Sequence, residues 1–305
     1  MGFTPEQLSL FQTLIRVSSS LSIFGTLAII VSYCSYARFR TQMNTMVVFM
    51  SVADLLSSLQ TLLGDWPNRL ALMEGTVGPN ILCTVQSFGI QMWFISATFW
   101  TGCMATHCLM AVVLSKPIAH LEPYYKYYHA VSWGIPLIFA FLPFAFQTKE
   151  LGPIYVHIGN WCWIGGNYSL FRMYLFYGLV WAIFLYNVIC YSIVGYKISQ
   201  MSKFLNDTQH AMKTRKHTSR FVLKTLVYMG AFLINWVFST ANRIQALVDP
   251  TPSYFLNLLQ CITLPLQGFM NALIYFAFAY YSIEEAEEDN QSSNKKDSES
   301  GGMKY

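Results

Sequence analysis

Charge is what this chain has least of. Only 11% of its 305 residues are Asp, Glu, Lys or Arg, against roughly 25% in soluble domains, while 54% are hydrophobic. The mean hydropathy is +0.38. A water-soluble fold cannot hide that much apolar surface, so the bilayer must be the solvent for most of it. Other absences narrow the chemistry. Residues 254–282, the last long apolar stretch, contain no lysine, which removes the Schiff-base site a retinal protein or pump would need there. No Cys or His spacing resembles a zinc site, so neither metal nor cofactor is expected. There is no Gly-x-Ser-x-Gly elbow, no His-Glu-x-x-His motif and no paired intramembrane aspartate, so an enzyme is not expected. No three-helix unit repeats, which takes away the signature of a transporter built from duplicated halves. Met1 to Leu10 lacks the basic start of a removable leader, so the first helix is expected to be its own insertion signal. Glu6 stands where a myristoylation motif takes Ser or Thr.

What the chain has is long apolar runs. A spanning helix needs about 20 mostly apolar residues. Seven such runs are readable, at 11–36, 45–64, 84–114, 128–147, 170–196, 221–248 and 254–282. Their length excludes barrel strands, which are about 9–11 residues and alternate. Short links favour antiparallel neighbours, so the expected fold is an all-α, seven-transmembrane helix bundle. Basic residues orient it. The odd links carry Arg38, Arg40, Lys116, Lys126, Lys197, Lys203, Lys213, Arg215, Lys216 and Arg220, and the even links only Arg69 and Lys149. The odd links are therefore cytoplasmic and the N-terminus is outside. The expected organisation is a short extracellular N-terminus (1–10), a seven-helix domain (11–283) and a polar, disordered cytoplasmic tail (284–305). The sequon Asn167-Tyr168-Ser169 falls on the outer side and is a glycosylation candidate; Asn206-Asp207-Thr208 falls on the inner side.

Of seven cysteines, Cys34, Cys103, Cys108, Cys190 and Cys261 lie inside apolar runs and read as small buried side chains. Only Cys83 and Cys162 fall at the outer, oxidising face, so a disulfide is expected to tie the second outer loop to the top of the third helix.

Ionisable and polar groups inside hydrocarbon need a reason. Asp54 sits near the middle of the second run, with Asn271 as an expected partner. It reads either as an interior switch, with or without a sodium ion, or as a static packing group. Arg243 lies near the outer end of the sixth run, and either snorkels to the interface or contacts an anion in an outward cavity. Trp236, Asn242 and neighbouring polar residues favour the cavity, and Trp93, Trp181 and Gln260 join them as pocket candidates by depth and polarity. Arg16 and Arg172, close to outer helix ends, are expected to snorkel. His107 lies toward the inner end of the third run, as a hinge or as a satisfied buried histidine. Pro265 should kink the last helix and Gly268 soften it, with Asn271 and Tyr275 following toward the inside.

Trp161-Cys162-Trp163-Ile164, Asn242-Arg243-Ile244 and Gln267-Gly268-Phe269-Met270-Asn271-Ala272-Leu273-Ile274-Tyr275 resemble the slime-mould cyclic AMP receptors and their fungal and plant relatives. The Gln-Gly-Phe-x-Asn-Ala stretch is also similar to secretin and adhesion receptors. The resemblance spans 11–282 and implies the G-protein-coupled receptor fold and a plasma-membrane, multi-pass location. It further implies a small extracellular ligand and a heterotrimeric G protein as partners, beside the lipid bilayer. No nucleic acid is expected. Rhodopsin-like signatures are missing: the third run ends Thr106-His107-Cys108-Leu109-Met110, with no acidic-Arg-aromatic triplet. About ten residues precede the first run, which favours a small ligand over a large peptide hormone. Coupling to the G protein is expected to use Arg38, Arg40, Lys213, Arg215, Lys216 and Arg220, and Ser292, Ser293 and Ser298 are phosphorylation candidates. The alternative function is a small-molecule membrane transporter.

Overall fold

The computed structural model describes residues 3–73, 80–116, 118–204, 209–249 and 251–280. For 118–119, 201–204, 209–222 and 224–225 it describes the backbone only. Helix α1 (Pro5–Ser35) starts six residues before the apolar run does. Thr4 caps it, Gln7 closes a capping box and Pro5 takes the first helical position, where its missing N–H costs nothing. Helix α2 (Gln42–Leu63) is capped by Thr41 and stops at Gly64, whose φ of 54° suits a glycine. A short α3 (Trp66–Met73) lies in the outer link. Asn80 caps α4 (Ile81–Val112) by accepting from the amides of Leu82 and Cys83, which sets Cys83 in the first turn.

The fourth span is α5 (Tyr125–His129) and α6 (Ile135–Ala145), joined by one π turn over Ala130–Gly134. The fifth is α7 (Ser169–Arg172) and α8 (Gly178–Phe204), joined by a second π turn. Helix α9 (Gln209–Val248) is the sixth, and α10 (Tyr254–Thr263) opens the seventh, which continues helical to 280. Among the described residues six segments are long and apolar enough to cross a membrane. The remaining helix of the bundle, the sixth span α9, carries the basic residues Lys213 to Arg220 in its first half. At Pro265 the last helix tightens into a 3₁₀ turn (Leu264–Leu266), the expected break, because proline brings no N–H to the ladder.

Helix α4 is the axis of the bundle and is buried along most of its length. Large apolar side chains point outward on the fourth and fifth spans, among them Leu137, Ile138, Phe141, Leu185 and Ile189. The polar side chains point inward, the arrangement a bilayer demands. Between the fourth and fifth spans the chain makes a two-stranded antiparallel hairpin, β1 (Tyr155–His157) with β2 (Cys162–Ile164), in which Val156 faces Trp163 and His157 faces Cys162. It lies across the outer end of the bundle.

Candidate functional site

The hairpin is a plug rather than a surface flap. Trp161, Cys162, Trp163 and Ile164 are all at most 3% exposed. Cys83 and Cys162 are joined as a disulfide, with their Cα atoms 5.2 Å apart. One turn further along α4, Gln86 donates to the carbonyls of Gln60 and Gly64 and accepts from the Cys162 amide at 2.8 Å. Gln91 accepts from the Trp163 indole at 3.0 Å and donates to the Leu175 carbonyl at 2.9 Å. On the other side Gln12 donates to the Asn160 carbonyl at 2.8 Å and accepts from the Asp65 amide. Asp65 pairs with Arg16 and Arg69, tying α1 to the outer link. His157 is half-buried in the hairpin, and the desolvation pushes its imidazole below the usual 6.5; the Asp65 charge and a Gly159 backbone hydrogen bond offset part of that.

Two arginines meet under the plug. The guanidinium carbons of Arg172 and Arg243 each lie 5.9 Å from the centre of the Trp163 ring. Arg172 donates through Nε to the Ile164 carbonyl at 2.7 Å and is 9% exposed. The Nε of Arg243 is buried without a hydrogen-bond partner. Among the described residues neither arginine has a carboxylate partner, the ion pairs there being those of Asp65. The snorkelling expected of Arg172 is therefore corrected: the turn into α8 aims it at the hairpin carbonyl instead of the interface. Arg16, also expected to snorkel, is exposed and paired with Asp65.

From Trp163 a run of rings leads inward. Its ring lies edge-on to Phe176 at 4.9 Å and Tyr177 at 6.1 Å. Both also pack on Trp236, at 5.4 and 6.3 Å. The Trp236 indole N–H then donates to Gln267 Oε1 at 3.1 Å. Gln267 Nε2 donates to Asp54 Oδ1 at 2.8 Å and Asn271 Nδ2 to Asp54 Oδ2 at 2.7 Å. Asp54 is fully buried. Gly268, just past the 3₁₀ turn, gives its amide to Ser22 Oγ at 3.0 Å, and Ser22 also accepts from Ser58.

The pocket candidates divide. Asn242 and Gln260 lock together at 2.5 Å, with Asn257 beside them, on the α9–α10 seam, where Asn242 is next to Arg243 in the chain. Trp181 bridges α8 to α9 by donating to Thr240 at 3.1 Å. Trp93 goes elsewhere: its ring meets Trp133 of the fourth-span π turn at 6.2 Å. A cavity of about 10 Å³, room for one water, lies between α4, α8 and α9. Asn187 Oδ1 and the Tyr228 hydroxyl line it, both buried without partners among the described residues.

At the inner end Arg38 stacks over the Tyr36 and Phe39 rings, at 5.3 and 5.0 Å. Arg40 caps the end of α1 through the Tyr33 and Cys34 carbonyls. Cys34 is exposed there, against the expectation of burial, because the helix end leaves the bundle. His107 is buried near the rings of Tyr125 and Tyr128, each at 6.2 Å, and Tyr275 is fully buried beside Phe39. Lys213, Arg215, Lys216 and Arg220 lie on the first half of α9, their side chains outside the described residues. Ser292, Ser293, Ser298 and the tail 284–305 also lie outside them. Asn167 is exposed on the outer side, its amide on the Leu151 carbonyl at 3.0 Å.

Residues missed from sequence are Arg172, Gln86, Gln91 and Gln267. A signal existed for one of them: Gln86 lies three residues on from Cys83, on the same face of α4.

Comparison with known proteins places this architecture. A family model described as "Slime mold cyclic AMP receptor" matches residues 4–282. "Cyclic AMP receptor-like protein A" of Dictyostelium discoideum is 29% identical over 90% of this chain and 66% of its own length. "Cyclic AMP receptor 4" of the same organism is 27% identical over 78% of this chain and 51% of its own length, so the chain spans only part of these relatives. "G-protein coupled receptor 1" of Arabidopsis thaliana is 24% identical over 90% of this chain and 80% of its own. Squid rhodopsin shares the fold with a TM-score of 0.66, at 15% identity over 90% of this chain and 83% of its own.

Proposed function

The chain belongs to the slime mold cyclic AMP receptor family, multi-pass membrane receptors of the G-protein-coupled fold, and from that premise we propose that it senses a small extracellular anion and activates a heterotrimeric G protein. One observation carries the ligand half of this reading. Arg172 and Arg243 converge on one indole with no carboxylate among the described residues to balance them. Two like charges near each other at the end of a bundle repel, and an anion bridging both relieves that repulsion. Guanidinium donors suit phosphate and carboxylate oxygens. Two of the relatives bear names of cyclic AMP receptors or receptor-like proteins, and cyclic AMP is a phosphodiester anion.

The transmission half rests on the ring and amide chain. An anion that moves Trp163 disturbs Phe176 and Tyr177, hence Trp236, whose N–H is held by Gln267. Gln267 and Asn271 share Asp54 and sit on the seventh helix just beyond its break. A shift of their hydrogen bonds rotates that helix about Pro265 and moves Tyr275 and the inner mouth. A ligand shifts such an equilibrium only by its differential affinity for the two states, and the arginine pair is where that difference arises.

The test is GTP loading of a purified heterotrimer by the full chain in nanodiscs, with cyclic AMP as the first probe and a panel of small phosphates and carboxylates after it. Arg243→Gln and Arg172→Gln should each weaken an active anion by more than tenfold, as loss of one member of a desolvated charge contact costs about 2–5 kcal/mol. Exchange stimulated equally by neutral analogues, or unchanged in both variants, would defeat the anion reading. Uptake of the probe into sealed proteoliposomes without nucleotide exchange would favour the transporter instead.

A further inference from the structure

Resting on the anion reading, a second feature of the same site concerns what holds the arginines before any ligand arrives. We propose that Trp163 is the built-in occupant of the arginine pair: in the resting receptor its indole face takes the place over Arg172 and Arg243 that the ligand's anion takes, so lid and ligand compete.

The geometry supports competition over simple packing. Both guanidiniums lie at the same 5.9 Å from one ring centre, inside the range where an indole's negative face attracts a cation. Of the aromatic rings near them, Trp163 is the one both share, and tryptophan is the strongest of the three aromatic partners for a cation. An indole face supplies partial negative charge without bringing a full charge into the bundle. It is also weaker than a charge-assisted hydrogen bond, so an anion with two acceptor oxygens can displace it.

The backbone around Trp163 is fixed while its side chain is not locked in the same way. Cys162 is bonded to Cys83, and its amide to Gln86. Arg172 holds the Ile164 carbonyl on the other side. The indole itself is retained by a single hydrogen bond, to Gln91, and by ring contacts with Phe176 and Tyr177. Displacement therefore needs rotation about the side-chain bonds of Trp163, with no unzipping of the hairpin. Those ring contacts lead to Trp236, so leaving the arginines and disturbing the relay are one event.

The experiment reads arginine reactivity and so does not depend on G-protein coupling. The full chain in nanodiscs is treated with phenylglyoxal, and modification of Arg243 and Arg172 is followed by peptide mass spectrometry. Three variants are compared with the parent at matched thermal unfolding: Trp163→Leu, which removes the ring; Trp163→Phe, which keeps a weaker one; and Gln91→Met, which releases the indole N–H. Arg243 should be modified about tenfold faster in Trp163→Leu, with the other two between, the scale expected when its one desolvated cation–indole contact is lost. Radiolabelled cyclic AMP, used as the probe anion, should bind Trp163→Leu more tightly than the parent by a similar factor. Modification rates that ignore all three substitutions would overturn the proposal. So would probe binding abolished in both Trp163→Leu and Trp163→Phe, since the indole would then be the ligand's platform and not its rival. If no variant binds the probe while reactivity still follows the ring, the resting occupancy stands and the choice of ligand class fails. Should Trp163→Leu not fold, the Phe and Gln91 variants carry the same test.

Discussion

Replacing Gly268 by alanine puts the close helix contact beside Asp54 under a measurable load. The glycine amide donates to Ser22 Oγ at 3.0 Å, which brings the seventh helix hard against α1. A Cβ at this position would lie 2.5 Å from both Ser22 Oγ and Thr26 Cγ2, and 3.3 Å from the Asp54 Cβ. An ordinary contact needs about 1 Å more than the two shortest of these, so the helices must part or side chains must leave their rotamers. Overpacking of this kind costs about 1–3 kcal/mol, and stretching the Gly268–Ser22 bond about 1 more. The sum, about 3 kcal/mol, lowers Tm by roughly 6–12 °C for a domain of this size. Thermal unfolding of the purified chain in nanodiscs gives the number. Thr26→Ser removes one of the two clashing atoms, so the double variant should recover part of the loss, with a coupling of about 0.5–3 kcal/mol between the sites. A Gly268→Ala Tm within about 1 °C of the parent would refute the close-approach argument, whatever the double variant did.

Other outcomes follow from the outer face. Opening the Cys83–Cys162 link frees a loop with a sequence separation of 79, worth up to about 4.5 kcal/mol by chain entropy. Cys83→Ala with Cys162→Ala should therefore unfold well below the parent, and equal Tm values with and without the link would contradict the staple's role. Burial holds His157 below its ordinary 6.5, so the unfolded chain takes up this proton first. Its contribution is intact above 6.5 and is lost as the pH falls below that value toward the depressed folded one. Tm should decline over that acid window, and His157→Gln should flatten the decline; an identical pH profile in the variant would remove His157 as the cause. Asn167→Gln should abolish the whole glycosidase-sensitive gel shift of chain made in eukaryotic membranes, and a shift that survives it would move the glycan elsewhere.

The topology was open to reading because a bilayer writes it twice, in run length and in the placement of Lys and Arg. Six runs were long and apolar enough to stand on composition. The ends were harder. Helix α1 starts at Pro5 because of Thr4 and Gln7, and polar caps do not register in a hydropathy profile. The fourth span gains a turn through Tyr125–His129, where tyrosines at the interface mask a helix. The disulfide was legible because redox compartment leaves just two of the cysteines on the oxidising side. Asp54 with Asn271 was legible because a buried carboxylate must find donors. Gln267 opens the stretch that carries the family resemblance, yet its bond to Asp54 was not legible, since a glutamine in an apolar run announces no partner. Arg172 escaped because snorkelling and inward aim look alike in sequence, and only the turn into α8 separates them. Trp93 was placed with the pocket on depth and polarity, and its helix face sends it to Trp133.

A switch in hydrocarbon must change partners without leaving polar groups bare, and the residues around Asp54 meet that condition. The carboxylate accepts from two side-chain amides, and each is carried by the helix that is already broken at Pro265. Gln267 can also turn, because its oxygen is held by Trp236 through a single hydrogen bond. Below it, Asn187 Oδ1 on α8 and the Tyr228 hydroxyl on α9 are buried beside a cavity that fits one water, so the two helices have polar atoms ready to pair once they move. Each exchange swaps one amide or hydroxyl bond for another of similar strength, about 1 kcal/mol net. The two arrangements therefore lie close in free energy, which is the condition the anion proposed at Arg172 and Arg243, a few rings away, needs in order to decide between them. A carboxylate paired with a buried Lys or Arg would hold too firmly for that, since breaking such a pair costs about 3–5 kcal/mol. Amides around Asp54 therefore suit the proposed switch better than an ion pair would.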